Sequence, residues 1–167
     1  YISLIEKSLY SEAVKLIKQT NPLPAICGRV CVRPCEVACR RNLLDEGTGV
    51  GIDYMKRFAA DSDLDSPNRY VPEVAPSTGK KIAIIGAGPG GLSTAYFLQQ
   101  KGHQCDIFEA QPYAGGWLRY GIPEYRLPNN LLQREVDAVT ELGVNIYYNK
   151  KLGENFSYKE ISEKYDA

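Results

Sequence analysis

The chain has 167 residues, in which 20 Lys and Arg balance 20 Asp and Glu, and 44% of the residues are apolar. This composition is typical of one medium or two small globular domains and excludes a wholly disordered or collagen-like chain. The zero net charge argues against nucleic acid or an anionic membrane as the main partner. No apolar run approaches the ~20 residues that span a bilayer, and no signal peptide is visible. The chain starts at Tyr1 and has no polar tail at its end, which predicts a piece of a longer protein.

The first third of the sequence has a helical pattern at both ends. Apolar side chains recur every three or four positions over residues 2–18, which predicts one amphipathic helix that ends before Pro22. Residues 22–49 contain three Pro, three Gly and four Cys without a sustained apolar period. We therefore expect something other than a buried apolar face to hold this segment together. Residues 50–60 return to helical spacing and predict a second helix that packs against the first.

The remaining sequence changes its periodicity after a stretch rich in Pro and Ser. We predict a helical domain at residues 1–61, a linker at 62–79 and a second domain at 80–167. The second domain alternates short apolar runs with helical patterns, which predicts a parallel α/β sheet that builds outward from its first strand. The predicted strands cover 81–85, 104–109 and 144–148, and the predicted helices cover 92–101 and 129–142.

Four of the five cysteines follow one another at a strict four-residue step: Cys27, Cys31, Cys35 and Cys39. Disulfides are one interpretation, but nothing in the sequence indicates an oxidising compartment, and we expect a cytoplasmic protein. A structural zinc site prefers paired cysteines separated by a longer loop. An iron–sulfur cluster accepts closely set thiolates, because the cluster itself spans the distance between them. The pattern therefore favours a cluster, with zinc, disulfides and unliganded thiols as alternatives.

Four arginines crowd the cysteine segment: Arg29, Arg33, Arg40 and Arg41. Thiolates around a metal leave a net negative charge, which neighbouring guanidinium groups would offset. A solvated surface is the alternative interpretation of these arginines.

A glycine-rich fingerprint follows the first predicted strand and consists of Gly86, Ala87, Gly88, Pro89, Gly90 and Gly91. A strand runs into it and a helix follows it, which is the context of a dinucleotide-binding turn. The first Gly would permit the tight turn, the second the approach of a pyrophosphate, and the third the packing of helix on strand. Glu109, at the end of the second strand, would accept a hydrogen bond from the ribose and disfavour NADP. A glycine-rich turn without a ligand is the alternative, and the fingerprint does not separate FAD from NAD.

Two side chains near the fingerprint have plainer interpretations. Cys105 lies within the second predicted strand and is read as a buried apolar residue. His103 lies in the preceding turn, and we assign it no catalytic role.

Longer motifs resemble a known family. Residues 21–31, 33–39 and 55–61 are similar to the helical iron–sulfur domain of the small, NADPH-oxidising subunit of glutamate synthase and its relatives. These relatives include the N-terminal part of dihydropyrimidine dehydrogenase and bacterial NADPH–ferredoxin oxidoreductases. Residues 84–92 and 115–128 resemble the FAD domain of the same family, and the second of these motifs is largely confined to it.

The resemblance implies a fold and a set of site residues. It implies a small all-helical iron–sulfur domain followed by the first part of a Rossmann-like FAD-binding parallel sheet. The fingerprint and Glu109 would bind FAD, with Gly116 and Trp117 beside the flavin, Arg126 on the cofactor and the backbone near Leu152 on the adenosine side. The four cysteines match ligands of a [4Fe–4S] cluster. Some relatives place a further ligand at the position of Lys56, whose protonated ammonium cannot bind iron.

The resemblance also implies an activity for the complete protein. Electrons would pass from NADPH through FAD and the [4Fe–4S] cluster to a catalytic partner subunit or a ferredoxin-like acceptor. The NADPH site would lie beyond Ala167, so we expect this fragment alone to be inactive. We nominate no catalytic acid, base or nucleophile, because electron transfer requires none. The alternative is a non-catalytic electron-transfer or assembly module that docks a partner through its helical domain.

Overall fold

The computed structural model of the protein describes residues 1–44 and 48–167. These residues form two compact units, 1–70 and 71–167. The division falls inside the segment that the sequence predicts as a linker. Among the described residues, none of the helices combines the length and the apolar character that a membrane span needs.

In the described part of the first unit all secondary structure is helical, and it is organised around the longest helix. Its α-helices are α1 (Ile2–Glu6), α2 (Tyr10–Lys18), α3 (Pro24–Val30), α4 (Pro34–Val37) and α5 (Ile52–Asp65), with a 3-10 turn at Arg40–Leu43. The other four α-helices all pack against α5. Ala13, Val14 and Ala59 are fully buried where α2 meets α5, and Tyr1, Leu4, Ile5 and Tyr70 pack around them. The observed α5 extends five residues beyond the helix predicted at 50–60.

The single helix predicted over residues 2–18 is wrong, because the chain breaks between α1 and α2. Ser8 adopts a left-handed conformation with φ 59°. Its N–H donates to the carbonyl of Ile5, and the N–H of Leu9 donates to the carbonyl of Leu4, both at 2.9 Å. These two bonds form a Schellman motif, which ends a helix by satisfying its last carbonyls. The apolar pattern continues across the break, which is why periodicity alone predicted one helix.

The expectation that residues 22–49 bury no apolar face is also wrong for their first part. Pro24, Ala25 and Ile26 of α3 are buried. Gly28 allows α3 to approach α5 closely, since a Cβ there would lie 2.6 Å from the Cβ of Arg57. The guanidinium of Arg29 clamps Asp61 on α5 through two hydrogen bonds of 2.8 and 2.9 Å. Packing and an ion pair therefore fix α3 against α5.

The second unit contains a three-stranded parallel sheet in the order β1-β2-β3. Its strands are β1 (Lys81–Ile85), β2 (Gln104–Phe108) and β3 (Asn145–Tyr147), and its helices are α6 (Pro89–Gln100), α7 (Trp117–Tyr120), α8 (Asn129–Thr140) and α9 (Tyr158–Ser162). Ile84 lies opposite Ile107, which lies opposite Ile146 on the next strand. The predicted fold class, helical first and parallel α/β second, is confirmed. The helix after β1 begins at Pro89, three residues earlier than predicted, because Pro is favoured in a first helical turn.

The edge of β1 that faces away from β2 is also hydrogen-bonded. The N–H of Asp166 donates to the carbonyl of Lys81, and the N–H of Ala83 donates to the carbonyl of Ala167, both at 2.8 Å. The Asp166 carboxylate accepts the N–H of Lys81 at 2.9 Å. Backbone segments that follow later in the sequence therefore flank β1 on both edges.

Candidate functional site

The glycine turn connects β1 to α6 and depends on two glycines for its shape. Gly86 has φ 95°, a conformation that side chains disfavour. A Cβ at Gly91 would lie 1.9 Å from the carbonyl oxygen of Gly86, so α6 packs against the turn only because that atom is absent. These two positions match the turn-forming and packing roles that the fingerprint predicts.

The middle glycine of the fingerprint leaves an open cradle. Gly88 has an extended backbone and caps the N-terminus of α6. A Cβ at Gly88 would meet only the Cα of Gly116, at 3.9 Å. The unpaired N–H groups and the dipole of a helix N-terminus favour a phosphate at such a position. The geometry therefore leaves room for an anion at Gly88, and the methyl group of an alanine would occupy that room.

The cradle is closed on one side by a second glycine turn. Gly116 has φ 52°, and a Cβ there would lie 2.9 Å from the Cα of Gly88. The N–H of Gly115 donates to the carbonyl of Ala87 at 2.8 Å. The segment that the family motif places beside the flavin thus lies directly against the fingerprint.

Glu109 is buried at the carboxyl end of β2 and braces the glycine turn. Its Oε2 accepts the N–H of Ala87 at 2.7 Å, and its Oε1 accepts the N–H of Gln111 at 2.8 Å. The sequence predicted a ribose contact for this carboxylate. The structure adds a role in positioning the turn, which sequence reasoning missed because the contact joins residues 22 positions apart.

The other predicted cofactor residues lie at the surface of the second unit. Trp117 begins α7 and is 74% exposed, and the side chain of Arg126 is exposed. Leu152 lines a cavity of ≈220 Å³ together with Ile85 and Tyr165. The structure therefore brings Gly116 to the glycine turn, leaves the adjacent Trp117 exposed and places Leu152 beside the end of β1.

The predicted binding turn lies at a change of direction in the sheet. On one edge β1 pairs with β2, and on the other edge it is hydrogen-bonded to residues 166 and 167. The order of the chain across the sheet therefore reverses at β1. In open parallel sheets, ligands bind outside the carboxyl ends of the strands at such a switch point. The glycine turn follows the carboxyl end of β1 and occupies this place.

The cysteines fall into two groups in the first unit. The thiols of Cys27 and Cys31 and the carboxylate of Asp53 lie within 4.8 Å of one another. Cys35, on α4, is exposed, and Cys39 follows α4. These last two lie outside the close group. Helix α3 ends at Val30, and Pro34 starts α4 as a separate helix.

Hydrogen-bond donors surround the thiols. The N–H of Arg33 donates to the Sγ of Cys31 at 3.3 Å, and Nζ of Lys56 donates to the Sγ of Cys27 at 3.1 Å. Backbone N–H groups, that of Val50 first, lower the pKa of the Cys39 thiol. Donors of this kind favour thiolates, the form of cysteine that binds metals.

Asp53 is the site residue that sequence reasoning missed. It is 1% exposed, and Arg33 Nε lies 3.4 Å from its Oδ2. Its Oδ1 lies 2.5 Å from Nζ of Lys56, an ion pair without the angles of a hydrogen bond. Burial acts to lower the pKa of Lys56, but Asp53 and Cys27 outweigh it, and the pKa is raised. Asp53 and Lys56 lie three positions apart on a predicted helix, and this spacing could have predicted their ion pair from the sequence.

The donor set suits a metal centre rich in sulfur. It consists of the thiols of Cys27 and Cys31, with the carboxylate of Asp53 beside them and already paired with Lys56. Thiolates select zinc or iron–sulfur clusters. Of the four arginines, Arg29 is engaged with Asp61, and Arg33 lies near Asp53, beside the two thiols.

Comparison with known proteins assigns both parts of the chain. Residues 1–67 match the family described as dihydropyrimidine dehydrogenase domain II, 4Fe-4S cluster, and residues 84–155 match the NAD(P)-binding Rossmann-like domain.

Similar proteins share nearly the whole chain. It is 41% identical, over its full length, to the NADPH-Fe(3+) oxidoreductase subunit beta of Geobacter sulfurreducens, of which it covers 25%. It is 37% identical over 95% of its length to an NAD-dependent dihydropyrimidine dehydrogenase subunit of Salmonella typhimurium, covering 38% of that protein. It is 34% identical over 98% of its length to the glutamate synthase [NADPH] small chain of Bacillus subtilis, covering 33%.

The chain thus spans between a quarter and two fifths of the relatives that it matches. The helical 4Fe-4S region and the Rossmann-like region follow each other in the order that the sequence motifs predict. The chain is therefore homologous, over nearly its whole length, to a part of the glutamate synthase small chain and of the dihydropyrimidine dehydrogenase subunit.

Proposed function

We propose that this chain is part of an NADPH-dependent oxidoreductase in which electrons pass from NADPH through FAD and a [4Fe–4S] cluster to an acceptor. The observation that carries the proposal is the presence, in one chain, of a sulfur-rich donor set and an open phosphate cradle at the switch point of a parallel sheet. The relatives' names support a nicotinamide nucleotide as the electron source.

In this proposal the cysteines of the first unit hold the cluster: Cys27, Cys31, Cys35 and Cys39. A bound cluster supplies one-electron transfer. The N–H of Arg33 holds the thiolate of Cys31, and backbone donors hold that of Cys39. Closely set cysteines stay reduced and available to a cluster in a reducing compartment, so we place the protein in the cytoplasm.

The glycine turn binds the pyrophosphate of FAD in this proposal, with Gly88 in contact and Glu109 fixing the turn. Gly116 and Trp117 lie at the flavin end. Arg126 contacts the cofactor, and the backbone at Leu152 contacts its adenosine side. Because two of the three relatives described above are named as subunits, we propose that electrons leave toward a partner subunit or a ferredoxin-like acceptor.

The cluster is tested by anaerobic reconstitution of the purified protein, followed by iron and acid-labile sulfide analysis. We expect iron and sulfide in equal amounts and a broad visible absorption that reductant bleaches. Stoichiometric zinc without sulfide would instead identify a structural zinc site and refute the cluster.

The dinucleotide site is tested with Gly88→Ala. The fold accommodates this methyl, since its nearest neighbour lies at 3.9 Å, but the methyl fills the cradle. We expect at least a tenfold loss of FAD affinity, measured by quenching of flavin fluorescence, with unchanged circular dichroism. Gly51→Ala is the matched control, because Gly51 also caps a helix but lies in the first unit, where a Cβ would make an ordinary contact with Tyr54 at 3.6 Å. Equal FAD affinity in Gly88→Ala and the native protein would contradict the site.

A further inference from the structure

Lys56 occupies an unusual position for a cation, because it contacts a thiol that the proposed function assigns to the cluster. Its Nζ donates to the Sγ of Cys27 at 3.1 Å, and its side chain is only 16% exposed. Cys27 lies on α3 and Lys56 on α5, so the contact joins two helices that Gly28 holds close together. The packing of α3 on α5 therefore fixes the donor against the sulfur.

Asp53 holds Lys56 in this place. Its Oδ1 lies 2.5 Å from Nζ, and the carboxylate is almost fully buried. A buried carboxylate retains a cation strongly, because either charge alone would remain uncompensated away from water. The ammonium is therefore held between one carboxylate and one sulfur. These two contacts restrict a side chain that is usually flexible in lysine.

A protonated amine has no lone pair to offer iron, so Lys56 acts on the sulfur. Reduction adds negative charge to an iron–sulfur centre, and hydrogen bonds to its sulfurs stabilise the reduced state. A donor that carries a full positive charge and is partly shielded from water does this more strongly than a neutral amide does.

We propose that Lys56 tunes the cluster: its ammonium, positioned by Asp53, donates a hydrogen bond to the ligating thiolate of Cys27 and raises the reduction potential of the centre. This rests on the proposed function, since it requires a cluster held by Cys27. It assigns Lys56 and Asp53 as positioning residues and not as ligands.

The test is a redox titration of the reconstituted protein, monitored by the electron paramagnetic resonance signal of the reduced cluster. Lys56→Leu removes the donor, and Lys56→Arg keeps a charged donor. Asp53→Asn/Lys56→Leu removes one negative and one positive charge, so the net charge of the site stays that of the native protein. Arg57→Leu is the matched control, because it removes a cation from the next position of α5, where the side chain pairs with Asp61 at 3.7 Å.

We expect a more negative midpoint potential in Lys56→Leu and in the double variant, a potential close to native in Lys56→Arg, and no comparable shift in Arg57→Leu. A native potential in the double variant would overturn the proposal by showing that net charge alone sets it. An equal shift in Arg57→Leu would overturn it for the same reason.

Two further outcomes are separated by metal analysis of the same samples. Loss of the cluster from Lys56→Leu and from the double variant, with retention in Arg57→Leu, would overturn the proposal by showing that Lys56 serves assembly instead of tuning. Absence of iron and sulfide from the native protein itself would refute the proposed function.

Discussion

The carboxylate of Glu109 accepts the backbone N–H of Ala87 at 2.7 Å and so ties the glycine turn to the end of β2. The same carboxylate accepts the N–H of Gln111 through its other oxygen. One side chain therefore fixes both the glycine turn that joins β1 to α6 and the loop that follows β2.

The first prediction is that Glu109→Gln destabilises the second unit. A neutral amide offers one acceptor oxygen in place of two and turns an N–H₂ group toward a backbone N–H. Because hydrogen bonds to charged groups contribute about 1.5–3 kcal/mol each, we expect a loss in the free energy of unfolding of about that size. Urea denaturation monitored by circular dichroism measures it. Glu124→Gln, at an exposed position, is the control and should change stability by less than about 0.5 kcal/mol.

The second prediction separates two neighbouring glycines of α6. A methyl at Gly91 would clash with the carbonyl of Gly86 at 1.9 Å, so Gly91→Ala should destabilise the protein by at least the ~1–3 kcal/mol of an overpacked core. Thermal unfolding measures the difference. Gly90→Ala meets open space and should leave the melting temperature unchanged or slightly higher, since Ala favours helix. Equal melting temperatures for the two variants would show that α6 does not pack against the turn as described.

The third prediction concerns the break between α1 and α2. Ser8 holds φ 59°, which costs a residue with a side chain about 1 kcal/mol that glycine avoids. We expect Ser8→Gly to stabilise the protein by about 0.5–1 kcal/mol, measured by chemical denaturation. Ser8→Ala should give no such gain, because alanine carries the same Cβ. Lower stability in Ser8→Gly than in Ser8→Ala would contradict the left-handed conformation of Ser8.

The fourth prediction concerns the reactivity of Cys105. Burial raises the pKa of this thiol from its ordinary value of 9.0 to about 11, with a smaller contribution from Asp106. Since the thiolate is the nucleophile, Cys105 should react with iodoacetamide far more slowly at pH 8 than the exposed Cys35 in cluster-free protein. Mass spectrometry of timed digests measures both rates. Comparable rates would contradict the burial of Cys105.

The same shift has a consequence for stability at high pH. The unfolded thiol loses its proton at a lower pH than the folded thiol, so the folded state binds more protons between pH 9 and pH 11. The contribution of Cys105 is therefore complete below about pH 9 and is lost as the pH rises toward 11. Cys105→Ala should flatten this part of the curve of unfolding free energy against pH.

The second unit was the more predictable from sequence. Its first strand is a short apolar run between Gly79 and Gly86, its other two strands each begin two residues after a glycine, and the observed strands fall within the predicted ones. The shape of the glycine turn was predictable because Gly86 and Gly91 each answer a backbone requirement that acts locally. The contact of Glu109 with Ala87 was not, since it arises only when β1 and β2 lie side by side.

The first unit was less predictable, for two physical reasons. A left-handed Ser8 leaves the apolar period intact, so the helix break has no signature in the pattern. The contacts of Asp53 and Lys56 with the cysteines depend on how α3 packs against α5, and residues 22–30 and 50–60 carry no local sign of that packing. Neither the fingerprint nor the cysteine spacing contains this information.

The pairing of Asp166 and Ala167 with β1 bears on how the protein is handled in the laboratory. These two residues cover an edge of β1 that would otherwise present free N–H and C=O groups, as do the edge strands through which proteins aggregate. Shortening the chain by three residues would remove this cover and the hydrogen bond of Tyr165 to Asp106. Expression of residues 1–164 should consequently yield more insoluble material than expression of the full 167 residues, and an affinity tag is best attached at the other terminus.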